Sequence, residues 1–222
     1  MVQKGAKPAA SRRGRPREYD PERALVRASE VFWKHGYAAT SLDDLATATG
    51  MNRPSLYAAF GDKRDLYLKT LERYREQSRA ATLALLADDP TLRVFLERFY
   101  AAALDIYGAG TEDARGCYSV STAATQASVD PSVRAYLADS IRGADAFLAT
   151  LIARARARGE IGTSADAVAL AQFATATLHT LAVRSRAGIA RKQLEALAAA
   201  AIDMVCGPAP SRELRRRERS SA

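Results

Sequence analysis

Apolar residues in this chain recur at intervals of three and four, the spacing that lines one face of an α-helix. Runs rich in β-branched and aromatic residues, which would mark strands, are missing. The first predicted element is "DPERALVRASEVFWKHG". Asp20 suits its N-cap, Pro21 its first helical position and Gly36 the position just past its end. Leu25, Ala28, Val31 and Phe32 share the apolar face. Two short phrases follow, split by Gly50. Ser41 opens the first as a capping box with Asp44, and Leu42, Leu45 and Ala46 form its apolar side. Asn52 caps the second, with Leu56 and Phe60 inward.

A long fourth helix is predicted from near Asp62 through "LALLADD". It changes from Tyr- and charge-rich to Ala/Leu-rich, as a connector between two domains would. After Pro90 come the amphipathic helix "TLRVFLERFYAAALDIYG", a polar loop at 108–115 and the short helical phrase "GCYSVSTAATQAS". Asp130-Pro131 starts a helix to about Gly159, with Val133, Leu137, Ile141, Ala144, Leu148 and Leu151 on one side. Two more helices are expected near 164–186 and 190–206. The fold class is therefore all-α. An N-terminal three-helix helix-turn-helix domain (19–66) is flanked by a flexible basic arm (1–18). A larger C-terminal helical domain (67–206) precedes a basic, disordered tail (207–222).

Composition agrees with a soluble globular protein: 222 residues, 48% hydrophobic and 26% charged. The net charge of +8 changes the picture only once it is located. The first twenty residues hold +4 and the last twelve +3, which leaves the body nearly neutral at +1. Such tails are commonly solvated, so overall basicity is weak support for a nucleic-acid partner. Cys117 and Cys206 lack metal-site or disulfide spacing, so no metal or cofactor is expected. No membrane-length apolar run and no signal segment appear, and a cytoplasmic protein is expected. Two histidines and isolated cysteines supply no catalytic constellation, so an enzyme is not expected. His35 reads as a partner of a helix C-terminus and His179 as a satisfied core histidine. Cys117, near Arg115 at a helix start, is a candidate sensing thiol or a small buried hydrophobe.

The segment "SLDDLATATGMNRPSLYAAF" carries the chemistry. Two helices that cross steeply need a small residue at their contact, a left-handed turn and an apolar plug. Ala46, Gly50 and Leu56 stand at those places, with Leu45 and Ala59 completing the wedge. The second helix would then enter a major groove with Arg53, Ser55, Tyr57 and Ala58 exposed. Arg53 suits guanine or phosphate, while Ser55 and Tyr57 can donate to phosphate or base edges. Open amides at the helix starts near Ser41, Asn52 and Lys63 are candidate phosphate sites.

"GYAATSLDDLATATGMNRPSLYAAFGDKRDLY" resembles the DNA-binding domain of the tetracycline-repressor (TetR/AcrR) family of bacterial regulators. Tyr37, Thr40, Ser41, Gly50, Leu56-Tyr57, Phe60 and Lys63 carry the pattern, and the likeness covers about residues 20–70. "RGCYSVSTAA" followed by "DPSVRAYL" resembles a recurrent C-terminal subgroup more weakly. The resemblance implies that Thr40, Tyr57 and Lys63 contact phosphates, and that residues 52–57, Asn52 and Pro54 included, present the reading face.

A single helix-turn-helix covers only a half-site, so a homodimer on a palindromic duplex operator is expected. Leu194, Leu197, Ala198, Ala201, Ile202 and Val205 line one stripe of the last helix and are the candidate interface, with the alanine-rich helix before it. The resemblance also implies a four-helix interface and a small-molecule effector bound in the C-terminal body. Aromatic and polar residues that interrupt apolar faces there are Tyr100, Leu104, Tyr107, Cys117, Ser121, Phe147, Phe173 and Thr177. They are the candidate lining, and equally what a plain core would show. The expected function is a sequence-specific transcriptional regulator, a repressor released from DNA by its ligand. A helical protein-interaction module is the alternative.

Between residues 40 and 64, Arg53, Lys63 and Arg64 are balanced by Asp43, Asp44 and Asp62. The arm, through Arg12, Arg13, Arg15 and Arg17, is therefore expected to reach phosphates as well. Deleting residues 1–17 should lower the log–log salt slope of DNA binding by about 0.9 for every phosphate the arm neutralises; an unchanged slope would leave the arm a solvated tail.

Overall fold

A computed structural model describes residues 20–164 and 166–208; the arm assigned to 1–18 and residues 209–222 of the tail lie outside the described residues. The described residues form α1 (Pro21–Ala39), α2 (Leu42–Thr49), α3 (Arg53–Phe60), α4 (Lys63–Ala84) and α5 (Leu92–Ile106). A π-helical turn, Ser119–Ala123, runs into α6 (Ala124–Gln126), and α7 (Pro131–Ala157), α8 (Ala167–Arg186) and α9 (Arg191–Cys206) follow. All regular structure among them is helical.

Side-chain caps fix most of the starts. The Asp20 carboxylate accepts the Glu22 and Arg23 amides, Thr91 caps α5, Asp130 caps α7 and Asp166 caps α8. Gly36 breaks α1 with φ 78° and ψ 168°, so the last residues of that helix are redirected toward α2. The connector α4 stops at Ala84, earlier than its sequence suggests. Beyond it Leu85 and Leu86 pack on the C-terminal core, and Asp89 takes a positive φ of 49°.

Two cores form. In the C-terminal body Phe95, Leu96, Tyr100 and Leu104 of α5 meet Leu148 and Ile152 of α7, Ala171, Ala174 and Leu181 of α8, and Leu194, Ile202 and Val205 of α9. The N-terminal core gathers Phe32, Trp33, Leu45, Leu56, Phe60, Leu66, Tyr67 and Leu71, and also Tyr118, Ala123, Val133 and Tyr136 from beyond the connector. The proposed division at residue 66 therefore falls inside one packed core. α7 serves both cores, which explains why its stripe departs from expectation. Tyr136, Ile152 and Ala155 are buried, whereas Ile141, between the two contact zones, is exposed.

The stripe of α9 is a correction. Leu194, Ala198, Ala201, Ile202 and Val205 are buried within the chain itself, and Leu197 packs partly against the same core. Apolar area already removed from water by α5 and α8 has nothing left to offer a second copy. The outward sides of the last two helices carry Val168, Ala176 and Val183, then Ala196, Ala200 and Met204.

The joint between head and body is aromatic, with a hydrogen-bond partner for each of three buried phenols. Tyr67 donates to Thr122 Oγ1 at 2.7 Å, Tyr118 and Thr70 share a hydrogen bond of 2.7 Å, and Tyr136 donates to the Leu71 carbonyl at 2.9 Å. Trp33 Nε1 donates to the Arg115 carbonyl at 3.3 Å, while the Arg115 guanidinium lies 3.9 Å from the Trp33 ring centre. The neighbouring Gly116 lets the backbone pass close to α8, where a Cβ would sit 2.5 Å from the Ala182 carbonyl oxygen. On the other side of the joint Arg64 grips Asp130 with Nε at 2.5 Å and Nη2 at 3.0 Å, and Ser132 with Nη2 at 2.6 Å.

The Arg64 guanidinium holds the Asp130 carboxyl below the ordinary carboxylate range. A depressed native pKa adds stability that is complete above the unfolded value of about 4 and drains away as pH falls through the native one. Asp130→Asn keeps an N-cap oxygen for α7 and loses the charge. Its stability deficit in urea unfolding should be fully present at pH 7 and shrink on acidification; a deficit independent of pH would show that the ion pair contributes nothing.

Candidate nucleic-acid interface

The turn between α2 and α3 is built from backbone outward. Gly50 adopts the left-handed conformation, φ 71° and ψ 20°, and its amide and that of Met51 both donate to the Ala46 carbonyl at 3.0 and 3.2 Å. Thr49 closes the same turn through its hydroxyl on the Leu45 carbonyl at 2.7 Å. Leu45, Leu56 and Phe60 are buried behind it and Ala46 and Ala59 pack at the edge, as the wedge requires. Arg27 reaches across from α1 to the Ala48 carbonyl at 3.4 Å. With its apolar side so occupied, α3 turns the opposite side to solvent.

That outer side carries Asn52, Arg53, Pro54, Tyr57 and Ala58, all exposed, with Ser55 half-buried. Tyr57 is 47% exposed despite its size. Asn52 Oδ1 accepts the Ser55 amide at 2.9 Å, so the α3 start is capped by a neutral group. Arg53 is held by Asp43 of α2, Nε to Oδ1 at 2.8 Å and Nη2 to Oδ2 at 2.5 Å. The pairing of residues ten apart is not legible in the sequence, because only the crossing of α2 and α3 brings them together.

Other candidates are placed differently. Thr40 is 1% exposed, and its hydroxyl donates to the Gly36 carbonyl at 2.7 Å, so it braces the kink from inside. The amide of Ser41 donates to Asp44 Oδ2 at 2.8 Å, and the α4 start is closed by a second capping box of Asp62 and Asp65. Carboxylates thus already occupy two of the three helix starts read as open phosphate sites, because a capping box fills the amides it requires. Lys63 is half-buried with Nζ 4.4 Å from the Tyr37 ring centre, and burial pushes its amine pKa down.

The candidate effector residues close onto one another. Tyr100 donates to the Ala174 carbonyl at 3.0 Å, and Leu104, Tyr107 and Thr177 are buried. Phe147 meets Phe95 edge-on, and Phe173 packs against the same core. Cys117 is half-buried with its sulfur 3.5 Å from the Tyr74 hydroxyl, and Ser121 donates to the Arg115 carbonyl at 3.0 Å. None of the eight lines the two described cavities. The larger of these, about 300 Å³, lies between Ile161–Leu170 and the end of α9. His179 is half-buried, and burial lowers its imidazole pKa while Asp145 opposes the shift.

A short helix braced from behind, with its polar side bare and a left-handed glycine turn ahead of it, defines the helix-turn-helix of a DNA-binding regulator. The chain matches the family model for bacterial regulatory proteins of the tetR family over residues 24–70, and the tetracyclin repressor-like C-terminal domain over 93–205. It belongs to the tetracycline-repressor family and is a DNA-binding transcriptional regulator. It is 30% identical to the HTH-type transcriptional repressor ComR of Escherichia coli over 84% of this chain and 89% of that one. An uncharacterized HTH-type regulator of Bacillus subtilis, YezE, is 35% identical over 72% of this chain and 82% of its own length. Among solved structures, a cysteine mutant of the TetR-family regulator CifR, in complex with a 26-bp operator, superposes with a TM-score of 0.76. It is 30% identical and covers 85% of this chain and 98% of that one. No helix among the described residues is long and apolar enough to cross a membrane.

A methyl group at Gly50 would meet only Arg27 Nη1, at 3.9 Å. Gly50→Ala is therefore a pure test of the left-handed backbone, and should cost about 1–2 kcal/mol in chemical unfolding. A loss near zero would mean that the turn relaxes without it.

Proposed function

We propose that the protein is a homodimeric, sequence-specific repressor that leaves its operator when a small molecule binds the C-terminal body. The bare outer side of α3, with Arg53 and Tyr57 presented on a rod whose other side is the Leu56–Phe60 core, carries this reading. The relative ComR is named a transcriptional repressor, and CifR is seen on operator DNA, which supports repression by occupancy.

Two reading helices are needed for successive major-groove faces. The interface we assign is the outward side of α8 and α9, where Val168, Ala176, Val183, Ala196, Ala200 and Met204 offer exposed apolar and small side chains. Effector control acts by population. A ligand releases DNA only to the extent that it binds the non-binding arrangement more tightly. The close-packed Tyr100–Tyr107–Cys117 region must open to admit one, and its neighbour Tyr118 is hydrogen-bonded to the connector.

Selection of random duplexes on the full chain should return a palindromic consensus, and Arg53→Ala should lose the preference at one position of each half-site. Ala200→Arg should convert a dimer to a monomer by sedimentation and weaken binding to the consensus. A protein that enriches no duplex sequence is the helical interaction module instead.

A further inference from the structure

The Asp43–Arg53 pair is not explained by folding. Both side chains are largely exposed, 71% and 54% respectively, and exposed pairs contribute little to stability. Asp43 is also superfluous as a cap, because the α2 start is already closed by Ser41 and Asp44. Yet the pair is bidentate, and it places a carboxylate on the surface that must approach phosphates. For raw affinity that is a poor choice, since phosphate contacts supply most of it.

The geometry of the guanidinium resolves the conflict. Arg53 has five N–H donors in one plane. Asp43 takes the side edge, one hydrogen from Nε and one from Nη2. The far end keeps a second parallel fork, one hydrogen each from Nη1 and Nη2, and no partner among the described residues holds Nη1. Such an end-on fork matches O6 and N7 of guanine in the major groove. A freely rotating arginine at the start of α3 would find a phosphate as readily as a base, because phosphates surround the groove. Paired to α2 by two bonds, it would leave a carboxylate unpaired beside the DNA phosphates if it swung away.

We propose that Asp43 is a positioning residue that confines Arg53 to guanine, exchanging general affinity for discrimination. The inference rests on α3 being the reading helix. Asp43 touches no base itself. Its charge offsets that of Arg53, so the pair approaches DNA as a neutral, oriented donor, in keeping with the balanced charge of residues 40–64.

The test uses the full chain and the duplex consensus selected on it, with each guanine of a half-site replaced in turn. In the unsubstituted protein one replacement should weaken binding about tenfold or more, the worth of a bidentate base contact. Arg53→Ala should abolish that penalty at that position alone. Asp43→Ala should reduce it to about threefold or less, while binding to random-sequence duplex holds or strengthens and thermal stability is unchanged. Asp43→Asn should lie between, since its amide oxygen can still accept one bond. In Asp43→Ala/Arg53→Ala the first substitution should add nothing to the second. A full guanine penalty retained in Asp43→Ala overturns the inference while leaving α3 as the reading helix. A penalty indifferent to Arg53→Ala overturns the inference and removes Arg53 from the reading face.

Discussion

The reading head of this protein cannot complete its core alone. Its helices α2 and α3 are short, and the apolar sides of α1 and α4 are left open until Tyr118, Ala123, Val133 and Tyr136 close over them. Those residues come from the π-helical turn and its flanks and from the start of α7, far along the chain from the turn that defines the head. Burying three phenols in this joint is tolerable only because each hydroxyl finds a partner, since an unpaired buried hydroxyl costs on the order of 1–3 kcal/mol. Directional bonds then fix the angle at which α4 leaves the head.

The same joint ties α4 to the C-terminal body. Tyr74 projects from α4 to Trp33 and Tyr118 on one side and to the Cys117 sulfur on the other. Tyr107 and the backbone around Gly116 connect the same region to α8 through Ser185 and Ala182. A packed network of rings and backbone contacts resists continuous deformation.

Electrostatics on the head follow a different logic from that of strongly basic DNA-binding surfaces. Arg53 is matched by Asp43, Arg64 by Asp130 and Ser132, and Lys63 rests on an aromatic ring. Carboxylates also cap α2 and α4. The described head therefore offers shape and oriented donors in place of a positive field. Such a surface separates sequence preference from bulk attraction, because phosphate contacts carry no sequence information.

How much of this is legible without coordinates divides along a physical line. Caps, turns and the α2–α3 wedge depend on residue types at fixed, short spacings, so Asp20, Ser41, Gly50, Asn52, Leu56 and Asp130 can be read directly from the sequence. The family resemblance rests on the same local pattern. What spacing cannot give is which apolar side meets which neighbour when a helix has two candidate sides. α9 is apolar along Leu194–Val205 and small along Ala196–Ala200, and only the packing of α5 and α8 decides that the first stripe is internal. The resemblance makes Thr40 a phosphate contact, while Gly36 folds the chain so that its hydroxyl points inside. Partners far apart in the chain, Arg64 with Asp130, Tyr67 with Thr122 and Trp33 with Arg115, are invisible for the same reason. Local stereochemistry determined the elements and the reading motif; long-range closure of two cores around a shared connector decided the rest.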